Sequence, residues 1–351
     1  MKHTLAIIGF GGMANWHFEN VTKRVPEIKI KGAVDVRPEA LEKAESLGLY
    51  AYKNVDELMA DKEVDIVTIA TPNNFHKDLA ILAMKNGKNA ISEKPVTMNA
   101  PELAEIIKAR DEYGKLFSVH QNRRWDKDFL ALKSVLESGS AGKPYYIESR
   151  VEGSNGAMHG WRGHKINGGG MLLDWGVHLI DQMLWMINEK VVSVSASLKN
   201  IASHDVDDND RVYIRFESGL SVQIELYTNC FVQLPRFRAM CEDGTIEITN
   251  WKPDGKVVKR MSDEEMKWED EIVYTEAGPT RTLAPRPAHT VKEFPLPEIE
   301  SDWADFYKNI LGVLDKGAEL IVKPEQCLRV MKVIDLAFES EASGKSVSCL
   351  I

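Results

Sequence analysis

The chain has 351 residues, enough for two domains that each bury a sizeable core. Its 44 basic and 53 acidic side chains give a formal charge of −9, whose field repels phosphate and argues against nucleic acid or an anionic membrane as partner. The apolar run at the N-terminus is too short for a secretory-signal core, and no segment approaches the roughly 18 apolar residues of a membrane span. Cys230, Cys241, Cys327 and Cys349 lack paired spacing, so the expectation is a cytoplasmic protein with reduced thiols and no zinc site.

Residues 4–120 alternate short apolar runs with amphipathic stretches, the rhythm of a parallel α/β sheet. Strands are predicted at 4–8, 28–34, 64–70, 88–91 and 116–119, with helices at 37–47, 75–86 and 100–113. Right-handed crossovers then cover both sheet faces, which defines a Rossmann-type, doubly wound domain over residues 1–122. After about residue 123 the rhythm changes. A helix at 126–137, a strand at 145–151 and a helical run at 168–185 precede strands at 191–198, 211–216, 221–227, 237–241 and 245–249. Hairpin cues at Glu217-Ser218-Gly219 and Glu242-Asp243-Gly244 imply an open, mostly antiparallel sheet in an α+β domain over residues 123–351. Residues 252–300 have weak periodicity and read as a long excursion, and helices at 303–316 and 325–343 close the chain. An exposed face of the second sheet needs covering, so a homodimer or homotetramer is expected, with a monomer whose own helices cover the sheet as the alternative.

The first strand runs into Gly9-Phe10-Gly11-Gly12-Met13-Ala14 and then a helix. Glycine at 9 permits the tight turn, glycine at 11 lets backbone approach a pyrophosphate, and small Ala14 permits close helix-to-strand packing. Asp35 ends the second strand, where its carboxylate can accept bonds from adenosine ribose hydroxyls, which favours NAD. Arg37, two residues on, can bind a 2′-phosphate and so admits NADP. Thr71-Pro72-Asn73-Asn74-Phe75-His76 and Glu93-Lys94-Pro95 follow later strands, at the carboxyl ends where open α/β sheets bind ligands. Read alone, the first is also a capped Thr-Pro turn and the second a surface ion pair before a proline, where a cis Lys94–Pro95 bond is allowed.

Within the run at 168–185, Asp174, His178 and Asp181 share one helix face if the helix is regular, while Leu172, Leu173, Val177, Leu179, Ile180, Met183 and Leu184 cover the others. Buried ionisable groups require partners or a use. A carboxylate one turn from a histidine can orient it for proton abstraction from an alcohol; a hydrogen-bonded structural pair is the plain alternative.

Taken together, GFGGMANWH, TPNNFH, EKP, HQNRRWD and DWGVH, in this order and at these distances, resemble the glucose–fructose oxidoreductase / inositol dehydrogenase / MocA family across nearly the whole chain. Ala14 replaces the third glycine of the fingerprint. The resemblance implies that Lys94 contacts the substrate hydroxyl and nicotinamide ribose, that His178 is the general base with Asp174 as its partner, and that Asp181 is a further substrate contact. It places Thr71, Pro72, Asn73, His76 and Glu93 beside the nicotinamide half, and Asn122 and Arg123 at the junction into the second domain. Trp161 and Arg162 precede the glycine run and are candidates to line a sugar site, or else a packing tryptophan and a solvated arginine. The implied activity is oxidation of a secondary hydroxyl of a sugar, cyclitol or glycoside with NAD or NADP. A redox glycosidase or glycoside 3-dehydrogenase working through a 3-keto intermediate, a non-catalytic NAD-binding regulator, and a hydrolase using Asp174, His178 and Asp181 as metal ligands are the alternatives.

Overall fold

The computed structural model describes residues 3–261, 272–280 and 287–351. The first sheet comprises β1 (His3–Ile8), β2 (Ile28–Val34), β3 (Tyr50–Ala51), β4 (Ile66–Ile69), β5 (Asn89–Ser92) and β6 (Phe117–Val119). Their spatial order is β3-β2-β1-β4-β5-β6, with every neighbouring pair parallel. Leu5, Ala6, Ile7, Ile66, Val67, Ile69, Ala90 and Ile91 have no solvent exposure, as expected of strands covered on both faces. Helices α1 (Gly12–Arg24), α2 (Pro38–Ser46), α3 (Val55–Ala60), α4 (His76–Lys85) and α5 (Ala100–Tyr113) supply that cover. The strand order reverses between β1 and β4, which opens a crevice beyond their carboxyl ends.

Strand β3 and helix α3 were not foreseen from periodicity. Their signal is a cap: Asn54 accepts the backbone N–H of Glu57 at 2.9 Å, and Glu57 accepts that of Lys53 at 2.6 Å.

The second half starts with α6 (Lys127–Glu137) and β7 (Pro144–Glu152), then α7 (Val177–Met186), β8 (Val191–Lys199), β9 (Asn209–Phe216), β10 (Ser221–Tyr227), β11 (Phe237–Cys241), β12 (Gly244–Ile248) and β13 (Gly255–Arg260). The two-stranded hairpin of β14 (Val273–Thr275) and β15 (Gly278–Thr280) precedes β16 (Val291–Pro295), α8 (Asp305–Lys316), α9 (Pro324–Ser343) and β17 (Val347–Ser348). The large sheet has nine strands in the order β16-β13-β12-β11-β7-β10-β9-β8-β17, antiparallel throughout except for the β7–β10 pair. Its outer edge corrects the reading of residues 252–300 as excursion: β13 and β16 extend the sheet. The long separation of these paired strands hid them from local pattern. The stretches 262–271 and 281–286 of that segment lie outside the described residues.

The solvent side of β7, β9 and β10 is polar rather than apolar. Arg150 pairs with Glu225 at 2.5 Å and Glu148 at 2.7 Å, Arg211 meets the Tyr227 hydroxyl at 2.6 Å, and Tyr146 bonds Gln223 at 2.9 Å. Helices α8 and α9 return to the first sheet. Ala100 N–H donates to Asp335 at 2.9 Å, and the Ser118 hydroxyl to the Val322 carbonyl at 3.0 Å. No helix among the described residues is long and apolar enough to cross a membrane.

Candidate active site

A cavity of about 970 Å³ runs from the glycine loop to α7, lined at one end by Gly9, Gly11, Gly12, Met13, Asp35 and Arg37. At the other end stand Lys94, Asn122, Arg123, Trp161, Arg162, Asp174 and His178, with Thr71, Pro72, Asn73 and Glu93 also on the wall. The two halves of the chain thus meet over one space.

The glycine loop fits a dinucleotide. Gly9 has φ +85°, and a Cβ there would stand 2.8 Å from the Ala70 carbonyl oxygen, so only glycine makes this turn. At Gly11 a Cβ would meet only an Arg37 nitrogen, at 3.8 Å, leaving the backbone open to the cavity. Helix α1 begins there without a capping side chain, so its first N–H groups are open to an anion such as a pyrophosphate. Asp35 accepts the Phe10 N–H at 2.7 Å and is also held by Arg37, through Nε at 3.1 Å and Nη2 at 3.0 Å. Burial pushes the Asp35 carboxyl up, but these bonds hold it below its ordinary range.

Three residues expected at the cofactor support the wall rather than form it. Phe10 is buried and acts through its backbone, and Ala14 is wholly enclosed between helix and strand. His76 is also wholly buried, its Nδ1 facing the Pro95 carbonyl and its Nε2 that of Thr71, both at 2.9 Å. It ties the loop after β4 to the one carrying Lys94, whose bond to Pro95 is cis.

The regular helix expected at 168–185 is replaced by a π-turn over Leu172–Gly176 before α7. Gly170 sets this start: its φ is +106°, and a Cβ would fall 2.3 Å from Asp207 Oδ1. Asp207 accepts the Leu172 N–H at 2.7 Å through its side chain and the Met171 N–H at 3.0 Å through its carbonyl. The wide turn breaks the four-residue stacking, so the Asp174–His178 pair expected from spacing does not form. Asp174 instead receives the Lys94 ammonium at 2.8 Å and Arg162 Nε at 3.1 Å. Burial pushes the Asp174 carboxyl up, yet Lys94 and Arg162 hold it below its ordinary value.

His178 is buried and bonded through Nδ1 to Gln121 Oε1 at 3.1 Å. Gln121 was not singled out from the sequence, because nothing in its local pattern separates it from a core glutamine. With Gln121 as acceptor, Nδ1 carries the proton and Nε2 the lone pair. Burial, then the charges of Lys94 and Arg123, push the imidazole well below its usual range, so the ring is neutral at neutral pH.

Asp181 corrects a second expectation. It does not line the cavity but pairs with buried Arg124 through two 2.7 Å contacts, and Arg124 continues to the Ile321 carbonyl at 2.9 Å and Gln326 at 2.8 Å. One turn of α7 past His178 therefore faces the C-terminal segment. Trp175 was also missed: it lines the cavity, with the Arg123 guanidinium 4.3 Å from its ring.

A parallel sheet in 3-2-1-4-5-6 order, a glycine loop opening an uncapped helix, and an ammonium and a neutral imidazole on the same cavity define a nicotinamide-dependent oxidoreductase. Residues 3–121 match the oxidoreductase family with the NAD-binding Rossmann fold, and residues 129–247 match the GFO/IDH/MocA C-terminal domain. The chain belongs to the GFO/IDH/MocA family. A solved NAD-binding protein from Listeria innocua is 38% identical, superposes with a TM-score of 0.94, and each chain covers 99% of the other. The NADP(+)-dependent scyllo-inositol 2-dehydrogenase of Bacillus subtilis (strain 168) is 26% identical over 84% of this chain and 81% of its own. The NAD(+)-dependent scyllo-inositol 2-dehydrogenase of the same organism is 28% identical over 64% of this chain and 68% of its own.

Proposed function

We propose that the protein oxidises a secondary hydroxyl of a cyclitol, sugar or glycoside, with His178 as general base and Lys94 as the charge that steadies the reacting oxygen. The observation that carries this reading is the convergence of the Lys94 ammonium and the neutral His178 ring on the wall of one cavity with the glycine loop. When bound, the nicotinamide supplies a two-electron acceptor for hydride.

His178 Nε2 takes the hydroxyl proton while the carbinol hydrogen leaves carbon with the C–H electron pair, and the C–O bond becomes a carbonyl. General-base help of this kind is worth roughly 10²- to 10⁴-fold. Lys94 compensates the negative charge that grows on the oxygen as its proton departs ahead of the hydride. Asp174 holds the Lys94 ammonium and, with Arg162, keeps that end of the cavity polar. Asn122, Arg123, Arg162 and the face of Trp161 suit a ring bearing several hydroxyls; the inositol substrates named for the relatives fit this chemistry. Asp35 and Arg37 would meet the adenosine ribose, Asp35 accepting hydroxyls of NAD and Arg37 turning to a 2′-phosphate of NADP.

The test is a panel of inositols, aldoses and glycosides offered with NAD or NADP, following reduced nicotinamide by absorbance and products by mass. Stoichiometric ketone and reduced cofactor support the reading. Released aglycone with no net cofactor reduction would instead identify a redox glycosidase, and no reaction with any polyol would refute the proposal.

A further inference from the structure

Directly behind Lys94 lies a buried cluster that the hydride-transfer scheme leaves unused. Glu93 Oε1 meets His17 Nε2 at 2.7 Å and His120 Nδ1 at 2.8 Å, and His17 Nδ1 meets the Tyr307 hydroxyl at 2.8 Å. His17, His120 and Tyr307 have no exposure, and Glu93 has 5%. The four residues come from α1 one turn beyond the glycine loop, the ends of β5 and β6, and α8.

A carboxylate in this setting needs a compensating charge. Burial pushes the Glu93 carboxyl up, but the charge on His120 and the two imidazole contacts hold it well below its ordinary range. Burial, then the neighbouring His120, push the His17 imidazole below its ordinary value. The His120 ring lies edge-on to Phe306, with centroids 4.9 Å apart, and 5.5 Å from Trp16, which fixes its plane. The three candidate ligand atoms lie within 4.8 Å of one another, but the two N···O separations are hydrogen-bond lengths. Ligands of a tetrahedral ion at about 2.0–2.2 Å would stand roughly 3.3–3.6 Å apart, so protons fit this cluster better than a metal.

The cluster joins the two strand ends that matter for chemistry. Glu93 precedes Lys94, and its Oε2 accepts the Lys94 backbone N–H at 3.2 Å. His120 precedes Gln121, the partner of His178, and its own N–H donates to the Ser92 carbonyl at 2.8 Å. We propose that Glu93, clamped between His17 and His120, is a positioning residue that fixes the Lys94 ammonium and the Gln121–His178 pair relative to each other. This rests on the roles given to Lys94 and His178 under the proposed function. The link to α1 also ties the glycine loop to the same centre.

The experiment compares wild type with Glu93→Gln by nitrogen-15 NMR of His178, NADH affinity, kcat, and the deuterium isotope effect with a carbinol-deuterated substrate. The expected result is a folded variant that still binds NADH and loses the single Nδ1–H tautomer of His178. Its kcat falls roughly 10- to 100-fold with a larger isotope effect, the penalty of a misplaced reacting pair. An unchanged His178 tautomer overturns the proposal, whether kcat holds or falls. If Glu93→Gln does not fold, His17→Gln keeps the Glu93–His120 pair and decides the question by the same readouts, with a smaller expected loss. The tautomer is read without substrate, so it still decides the matter if no polyol is oxidised and the functional reading fails.

Discussion

The Lys94 ammonium donates both to the Asp174 carboxylate at 2.8 Å and to the Asp174 backbone carbonyl at 2.7 Å, which makes Asp174 the holder of the lysine rather than of His178. Groups that act as one unit are non-additive when removed. Asp174→Asn should lower kcat roughly 10- to 100-fold, and in Lys94→Ala it should cost almost nothing further. A double-mutant cycle on kcat/KM checks this; fully additive losses would separate the two roles.

Removing the assigned base gives a different signature. His178→Ala should reduce turnover by about 10²- to 10⁴-fold while NADH binding, followed by fluorescence titration, stays close to wild type. Near-wild-type turnover would remove His178 from the mechanism.

The pH dependence follows from the same ring. His178 must be neutral to accept a proton, and its pKa lies well below the ordinary 6.5, so kcat/KM should show no acid limb at or above about pH 6.5. An acid limb near 7 would contradict this. The imidazoles contribute to stability with the same sign: His17, His76 and His178 all have lowered folded-state values, so below about pH 6.5 these three bind more protons in the unfolded chain than in the native one. Opposing the trend are His3, raised by Asp315 and Asp65 despite burial, and two buried carboxyls, Asp128 pushed up by burial to about 6 and Asp210 by burial and neighbouring Asp207 to about 10. Melting temperature should therefore fall between pH 7 and 5, and a flat profile would contradict the neutral, buried imidazoles.

Asp181 should behave as a structural residue. Its pair with Arg124 is buried on both sides, with 2% and 1% side-chain exposure, and breaking such a pair costs about 3–5 kcal/mol. Asp181→Ala should lower the melting temperature markedly while leaving KM for the polyol within about 2-fold. A large KM change in a stable variant would restore it to the substrate site.

At the other end of the cavity, Asp35→Ser should shift preference from NAD toward NADP by removing a carboxylate that repels a 2′-phosphate. Arg37→Ala should weaken NADP selectively. Relative kcat/KM for the two cofactors measures both.

What the sequence made legible was the local signal. The β1–Gly9–α1 junction, the acid at Asp35 and the strand-end motifs each carry their meaning within about thirty residues, and the Rossmann half was readable for that reason. The misses are non-local. Asp174 and His178 have helical spacing, but a π-turn pinned by Asp207 over thirty residues away redirects them. Asp181 looks like a site residue until Arg124 and the C-terminal segment are brought beside it. Gln121 gains its role only because β6 ends opposite α7, and β13 pairs with β16 across a stretch with no periodic pattern.

The most direct measurement of the central claim is the fate of deuterium placed on the reacting carbinol carbon of an oxidised cyclitol or sugar. The account predicts deuterium on the reduced nicotinamide, a ketone product, and loss of both in His178→Ala. Reduced cofactor without the label, or transfer that persists undiminished in that variant, would contradict it.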